Sequence, residues 1–150
     1  MSESYYFKKH GLFIDDLKVG QQASFTKIIS EKDILLFSQI SGDDNPVHID
    51  EKFARQSLFK KRIAHGFLSA SLISTVIAKK LPGPGCIYLK QSMKFLAPVF
   101  IGDEVSAKVK ITKISREKKI ISLLTECFIK EKKIITGDAQ ILVSSKSTLK

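Results

Sequence analysis

Gly66-Phe67-Leu68-Ser69-Ala70-Ser71-Leu72-Ile73-Ser74-Thr75-Val76-Ile77-Ala78-Lys79-Lys80 is followed at once by Leu81-Pro82-Gly83-Pro84-Gly85. The first stretch has no proline and no internal glycine, and its apolar residues fall nearly all round a helical wheel. A helix with that pattern is expected to be buried at the centre of a domain rather than laid on its surface. Lys79 and Lys80 complement the negative end of the helix dipole, and the Pro/Gly run stops the helix. The apolar part, Phe67 to Ala78, is broken by Ser69, Ser71, Ser74 and Thr75 and falls short of the roughly 20 residues a membrane span needs.

Beyond Gly85 the period changes from helical to two. Ile87, Leu89, Gln91, Met93 and Phe95 share one face of a strand, and Val105, Ala107, Val109 and Ile111 share one face of the next. Ile121 to Ile129 repeats the alternation, and Ile134 to Val143 gives a further strand. Glu131-Lys132-Lys133 is a tight connection that makes the last two antiparallel neighbours. On the N-terminal side, Gln21 to Ser30 reads as a first strand. Ser30 with Asp33 three residues later forms a capping box for a helix over 31–40. Ser41 to Val47 is loop chemistry, and a short helix after Asp50 is expected to carry Phe53 and Ala54 inward. About five strands around one long apolar helix make an α+β architecture.

The chain has 150 residues, 43% hydrophobic and 27% charged, which suits one soluble domain spanning 1–150 with no linker. Cys86 and Cys127 are too few for a disulfide framework and have no metal-binding spacing, so a reduced, cytoplasmic setting fits. They fall on strands in apolar company and read as core. His10, His48 and His65 share no metal-ligand spacing, so no metal is expected. The first ten residues lack the apolar run of a secretory leader, and order is expected from Phe13 onward. Twenty-five Lys and Arg against 15 Asp and Glu give a net charge of +10. That field attracts anions, but the lysines are scattered and not interleaved with aromatic residues, so nucleic acid and membrane are not expected partners.

Two places carry chemistry. In Ser41-Gly42-Asp43-Asp44-Asn45-Pro46-Val47-His48, a carboxylate and an imidazole converge across a turned loop. Such a pair can hold a water and pass its proton near neutral pH. The same spacing also fits an Asx-turn in which Asp43 and Asn45 only satisfy loop amides. At Ala64-His65-Gly66-Phe67, free N–H groups at a helix start, with glycine allowing close approach, suit a developing negative charge.

These residues also carry a family resemblance. Residues 42–50, Gly-Asp-Asp-Asn-Pro-Val-His-Ile-Asp, resemble the signature of the MaoC-like, (R)-specific enoyl-CoA hydratases. Three further blocks follow in the family's order: 63–67, 81–89 and 98–105. The resemblance runs from about Leu17 to Val143 and leaves residues 1–16 as an N-terminal extension. It implies a hot-dog fold, an antiparallel five-stranded sheet wrapped around the helix that begins at Gly66, and a homodimer. It implies reversible addition of water to a trans-2-enoyl-CoA to give the (R)-3-hydroxyacyl-CoA. Asp43 and His48 would be the catalytic dyad, with Gly66 donating its N–H to the thioester oxygen and Asn45 orienting the loop or a reacting group. Ser74 matches a family position near the active site, where it would hydrogen-bond; a serine bonded to its own helix backbone is the equal reading.

No cofactor is implied, since CoA is part of the acyl-CoA substrate. Lys60, Lys61 and Arg62 would meet its phosphates, and Leu68, Leu72 and Phe95 would set the depth of the acyl tail. Alternatives in the same fold are a 3-hydroxyacyl-ACP dehydratase, with an acyl carrier protein as partner, and a thioesterase. A non-catalytic acyl- or nucleic-acid-binding module is the alternative from another class.

Overall fold

Alternation of apolar and polar residues over 105–111 and 121–127 sets which side of those two strands meets the helix, whereas the alternating Ile87, Leu89 and Phe95 are exposed. In the computed structural model, which describes residues 4–149, five antiparallel strands form one sheet. They are β1 (Gln22–Ile28), β2 (Ile87–Phe95), β3 (Glu104–Ser115), β4 (Ile120–Ile129) and β5 (Lys132–Leu142), in the order β1-β3-β4-β5-β2. Val105, Ala107, Val109 and Ile111 on β3, and Ile121, Leu123, Thr125 and Cys127 on β4, are fully buried on one face. Burial pushes the Cys127 thiol up to about 12, so it is a core residue.

The long helix, Gly66–Lys79, lies across this face against β1, β3 and β4. Leu68, Leu72, Ile73, Val76 and Ile77 fill the space between helix and sheet. The arrangement is the hot-dog fold. Burial is one-sided, however, because a single sheet covers only one side of the helix. Phe67, Ser71, Ser74 and Ala78, at helical spacing, form an exposed outer stripe. Ser74 stands on that stripe.

Between β1 and the long helix the chain makes α2 (Glu31–Ser41), a single turn α3 (Pro46–Ile49) and α4 (Glu51–Gln56). With α1 (Tyr5–Lys9) at the N-terminus, the long helix is α5. The capping box forms as read: Ser30 Oγ accepts from the Asp33 N–H, and the Asp33 carboxylate accepts from the Ser30 N–H. Gly42 ends α2 with φ +77°, a left-handed conformation that turns the chain into the 43–45 loop.

The loop is shorter than the sequence suggests. Pro46 occupies the first position of α3, where its missing N–H costs nothing, and Asn45 caps the turn. Ala54 is buried as expected, but Phe53 is half exposed, since six residues of α4 present only one inward position. Order also begins earlier than Phe13. Phe7 and His10 stack on Phe13, and the N–H groups of Gly11 and Leu12 donate to the carbonyls of Pro84 and Pro82. No helix among the described residues is long and apolar enough to cross a membrane.

Ile73, 1% exposed, is among the largest fully buried side chains of the helix, so its truncation leaves a cavity in the core. Ile73→Ala is expected to lower the unfolding free energy by about 2–5 kcal/mol, read from the shift in urea midpoint at unchanged m-value.

Candidate active site

The Asp43–Asn45 loop is built by its own short side chains. Asp43 donates its N–H to Ser41 Oγ, and its Oδ1 accepts the N–H of Asn45 at 3.2 Å. Asn45 Oδ1 accepts from Val47 N–H at 3.2 Å, starting the turn that carries His48. Both sequence readings are therefore met at once: Asx-turn chemistry holds the loop, and the loop brings the carboxylate to the imidazole. Asn45 orients the backbone.

Two histidines then tie the loop to the start of α5. His48 is 8% exposed, and its Nδ1 lies 2.8 Å from the carbonyl oxygen of Ile63. A carbonyl only accepts, so Nδ1 carries the proton and Nε2 of the neutral ring is left with its lone pair. His65 Nε2 lies 2.9 Å from the carbonyl oxygen of Asp43 and donates to it, fixing the main chain at the carboxylate. The two rings stack with centroids 3.8 Å apart, and Phe37 closes against His65. Burial holds His48 below the ordinary imidazole value, and the neighbouring His65 acts in the same direction; the Ile63 bond and Asp43 oppose them. Both lowering influences favour the neutral ring.

Donor atoms of Asp43, His48 and His65 all lie within 4.8 Å of one another. Those residue types can hold a metal, but each histidine already spends one nitrogen on a carbonyl. That leaves at most one ring nitrogen on each for any ligand. The arrangement suits a water held between carboxylate and imidazole.

Gly66, the residue after His65, opens α5. Neither its N–H nor that of Phe67 has a protein acceptor, and His65 provides no side-chain cap. The ring of Phe95 lies across Gly66, and a Cβ there would fall 2.7 Å from Phe95 Cε1. Any side chain at this position would collide with that ring, so glycine is what lets Phe95 pack over the helix start. Beside it opens a cavity of about 460 Å³ lined by Phe59, Ile63, Phe95, Leu96 and Ile135 among others. Asp43 and His48 are not among its lining residues; His48 is joined to the lining through its bond to Ile63.

Other expected site residues lie elsewhere. Ser74, two turns along α5 from Gly66, or ~12 Å at 1.5 Å per residue, is exposed and outside the cavity. Arg62 is not free for a phosphate: it bonds Glu31 at 2.5 Å and faces Glu51 at 3.6 Å, joining the N-terminal ends of α2 and α4. Lys60 and Lys61 remain exposed. Phe95 lines the cavity as expected, whereas Leu68 and Leu72 are packed into the core. Sequence reasoning missed His65 as the anchor of Asp43; its signal was its place beside Gly66.

Comparison with known proteins gives the chain's family. Residues 16–131 match the MaoC-like domain family. The (R)-specific enoyl-CoA hydratase of Rhodospirillum rubrum is 48% identical over 134 residues, 89% of this chain and 93% of that protein. The 3-hydroxybutyryl-CoA dehydratase of Methylorubrum extorquens is 40% identical, over 90% of this chain and 86% of its own length. The unliganded R-hydratase PhaJ1 of Pseudomonas aeruginosa superposes with a TM-score of 0.85 at 40% identity, covering 91% of this chain and 88% of that one. The matched segment runs from before β1 to the end of β4 and takes in Asp43, His48, His65 and Gly66, and this chain belongs to the MaoC-like domain family.

Proposed function

We propose that this protein is an (R)-specific enoyl-CoA hydratase that reversibly adds water to trans-2-enoyl-CoA. The observation that carries the reading is the bare Nε2 of a buried His48, its neutral form favoured, next to Asp43, one residue in sequence from His65 to the open N–H of Gly66. The relatives named for CoA thioesters support the same substrate class and CoA as carrier.

In this mechanism a water sits between Asp43 and His48. His48 Nε2 takes one of its protons as the oxygen bonds to C3. The electron pair of the C2=C3 bond shifts toward the thioester, and the carbonyl oxygen becomes enolate-like, accepting the Gly66 N–H. The proton taken by His48 passes to the Asp43 carboxylate, which delivers it to C2, so one water is consumed and both side chains end in the protonation state in which they began. Within a coupled pair the two roles belong to the dyad as a unit. The helix-end donor acts on the atom where charge develops, which makes it an electrostatic catalyst. The step needs no resident cofactor, and the apolar cavity beside Gly66 receives the acyl chain.

The assembly is a homodimer in this reading. β2 is an edge strand whose unpaired backbone is flanked by exposed Ile87, Leu89, Phe95 and Leu96, a surface that invites a second strand. A reducing cytoplasm suits the free Cys86 and Cys127.

Three outcomes are expected. Loss of enoyl absorbance on crotonyl-CoA is fast in the wild type and about 10²–10⁴-fold slower in Asp43→Asn and His48→Gln; the product is (R), read with a stereospecific dehydrogenase. Release of free CoA without hydration would mean a thioesterase instead. Second, kcat/KM falls on acidification with a midpoint below the ordinary imidazole value of 6.5, because the working form is neutral His48 and its folded value is lowered. A midpoint above 6.5 overturns that assignment. Third, sedimentation gives a dimer, and Leu89→Asp shifts it toward monomer.

A further inference from the structure

Four hydroxyl side chains lie along α5, and three are accounted for. Ser71 Oγ donates to the Leu68 carbonyl, Thr75 Oγ1 to the Ser71 carbonyl, and Ser74 faces solvent. Ser69 is 1% exposed and its Oγ has no hydrogen-bond partner. A buried hydroxyl left unpaired is uncommon and asks for a partner absent from the bare chain. Its own carbonyl already accepts from the Cys127 thiol at 3.8 Å, but the hydroxyl takes no part in that contact.

Ser69 lines the cavity beside Gly66, and no other side chain on that wall carries a polar atom. The helix start beside it adds the open N–H groups of Gly66 and Phe67. Ser69 follows Gly66 by three residues, so both lie on one face of the helix. Helical side chains also lean toward the N-terminus, which carries the Ser69 hydroxyl back over the turn that begins at Gly66. Two donors on one face of an otherwise apolar wall suit a single acceptor. An acyl tail offers none; the thioester carbonyl oxygen offers two lone pairs, and both gain as enolate charge builds on it.

Resting on the hydratase reading above, we infer that the Ser69 hydroxyl is a second donor to the substrate's thioester carbonyl oxygen, sharing it with the Gly66 N–H. Ser69 is thus a catalytic residue for this chain, which neither the sequence blocks nor the dyad pointed to. The bond strengthens as charge develops on the oxygen, so its loss falls on kcat more than on KM.

The test compares wild type, Ser69→Ala and Ser69→Thr, with kcat and KM for crotonyl-CoA measured separately. Infrared spectra of bound butanoyl-CoA labelled with ¹³C at the carbonyl give a readout that does not depend on turnover. Ser69→Ala is expected to lose about 10- to 100-fold in kcat with little change in KM, and its carbonyl band to move back toward that of free thioester. Ser69→Thr, which keeps the hydroxyl, restores both in part. Unchanged kcat and band position in a folded Ser69→Ala overturn the inference while leaving the hydratase reading intact. An effect confined to the binding of 3-hydroxyacyl-CoA would assign the hydroxyl to the product's 3-OH and likewise overturn it. A wild type inert on every enoyl thioester removes both readings.

Discussion

Everything at the site depends on where the sheet clamps α5. Leu72, Ile73, Val76 and Ile77 bury one side of the helix against β1, β3 and β4, and this apolar contact sets the helix axis and its rotation. Side chains in such a core interdigitate, so the helix has little freedom to slide. Its first residue is therefore a fixed point, and that residue is Gly66. The N–H groups there are unsatisfied because a helix always leaves its first donors open. The fold therefore leaves open donors at the end of α5 that borders the cavity.

The dyad is located relative to that fixed point by two imidazole–carbonyl bonds running in opposite senses. His48, from α3, reaches to Ile63, just before α5; His65, at the start of α5, reaches back to Asp43. Each bond also fixes a tautomer, so the loop is positioned and the proton pattern set by the same contacts. Stacking the rings 3.8 Å apart in a buried setting opposes a second positive charge and favours the neutral form of the working imidazole. Geometry and basicity thus have one cause. Arg62 completes the frame by holding the N-terminal ends of α2 and α4, which bracket the loop.

The legible parts were those written in short-range patterns. Period two in β3 and β4, the Ser30/Asp33 capping box and the Pro/Gly stop after Lys80 depend on neighbouring residues, and all formed as read. Asp43 and His48 were legible because one tight loop holds both. Features created by tertiary contact were not. The one-sided burial of α5 places Ser74 outside and Ser69 inside, a rotation that near-uniform hydrophobicity does not encode. Arg62, read as a phosphate contact, is drawn to Glu31 and Glu51, which fold back from 31 and 11 residues away. His65 and the Asp43 carbonyl are 22 residues apart, and a backbone acceptor leaves no mark in sequence.

Gly66 divides the site into two environments with opposite demands. On one side the dyad needs water, polar loop amides and a path for protons, and Asp43 is exposed there. On the other, the side chains of the cavity wall are apolar but for Ser69, which suits a hydrocarbon chain. A substrate with its carbonyl at the boundary would present its reacting carbons to the wet side and bury its tail on the dry one. Phe95 belongs to both: it lies over Gly66, lines the cavity, and stands on the edge strand β2. Any second chain that pairs with β2 therefore bears on the ring that roofs the carbonyl site. Of the two edge strands, β1 and β2, it is β2 whose last residue covers the start of α5.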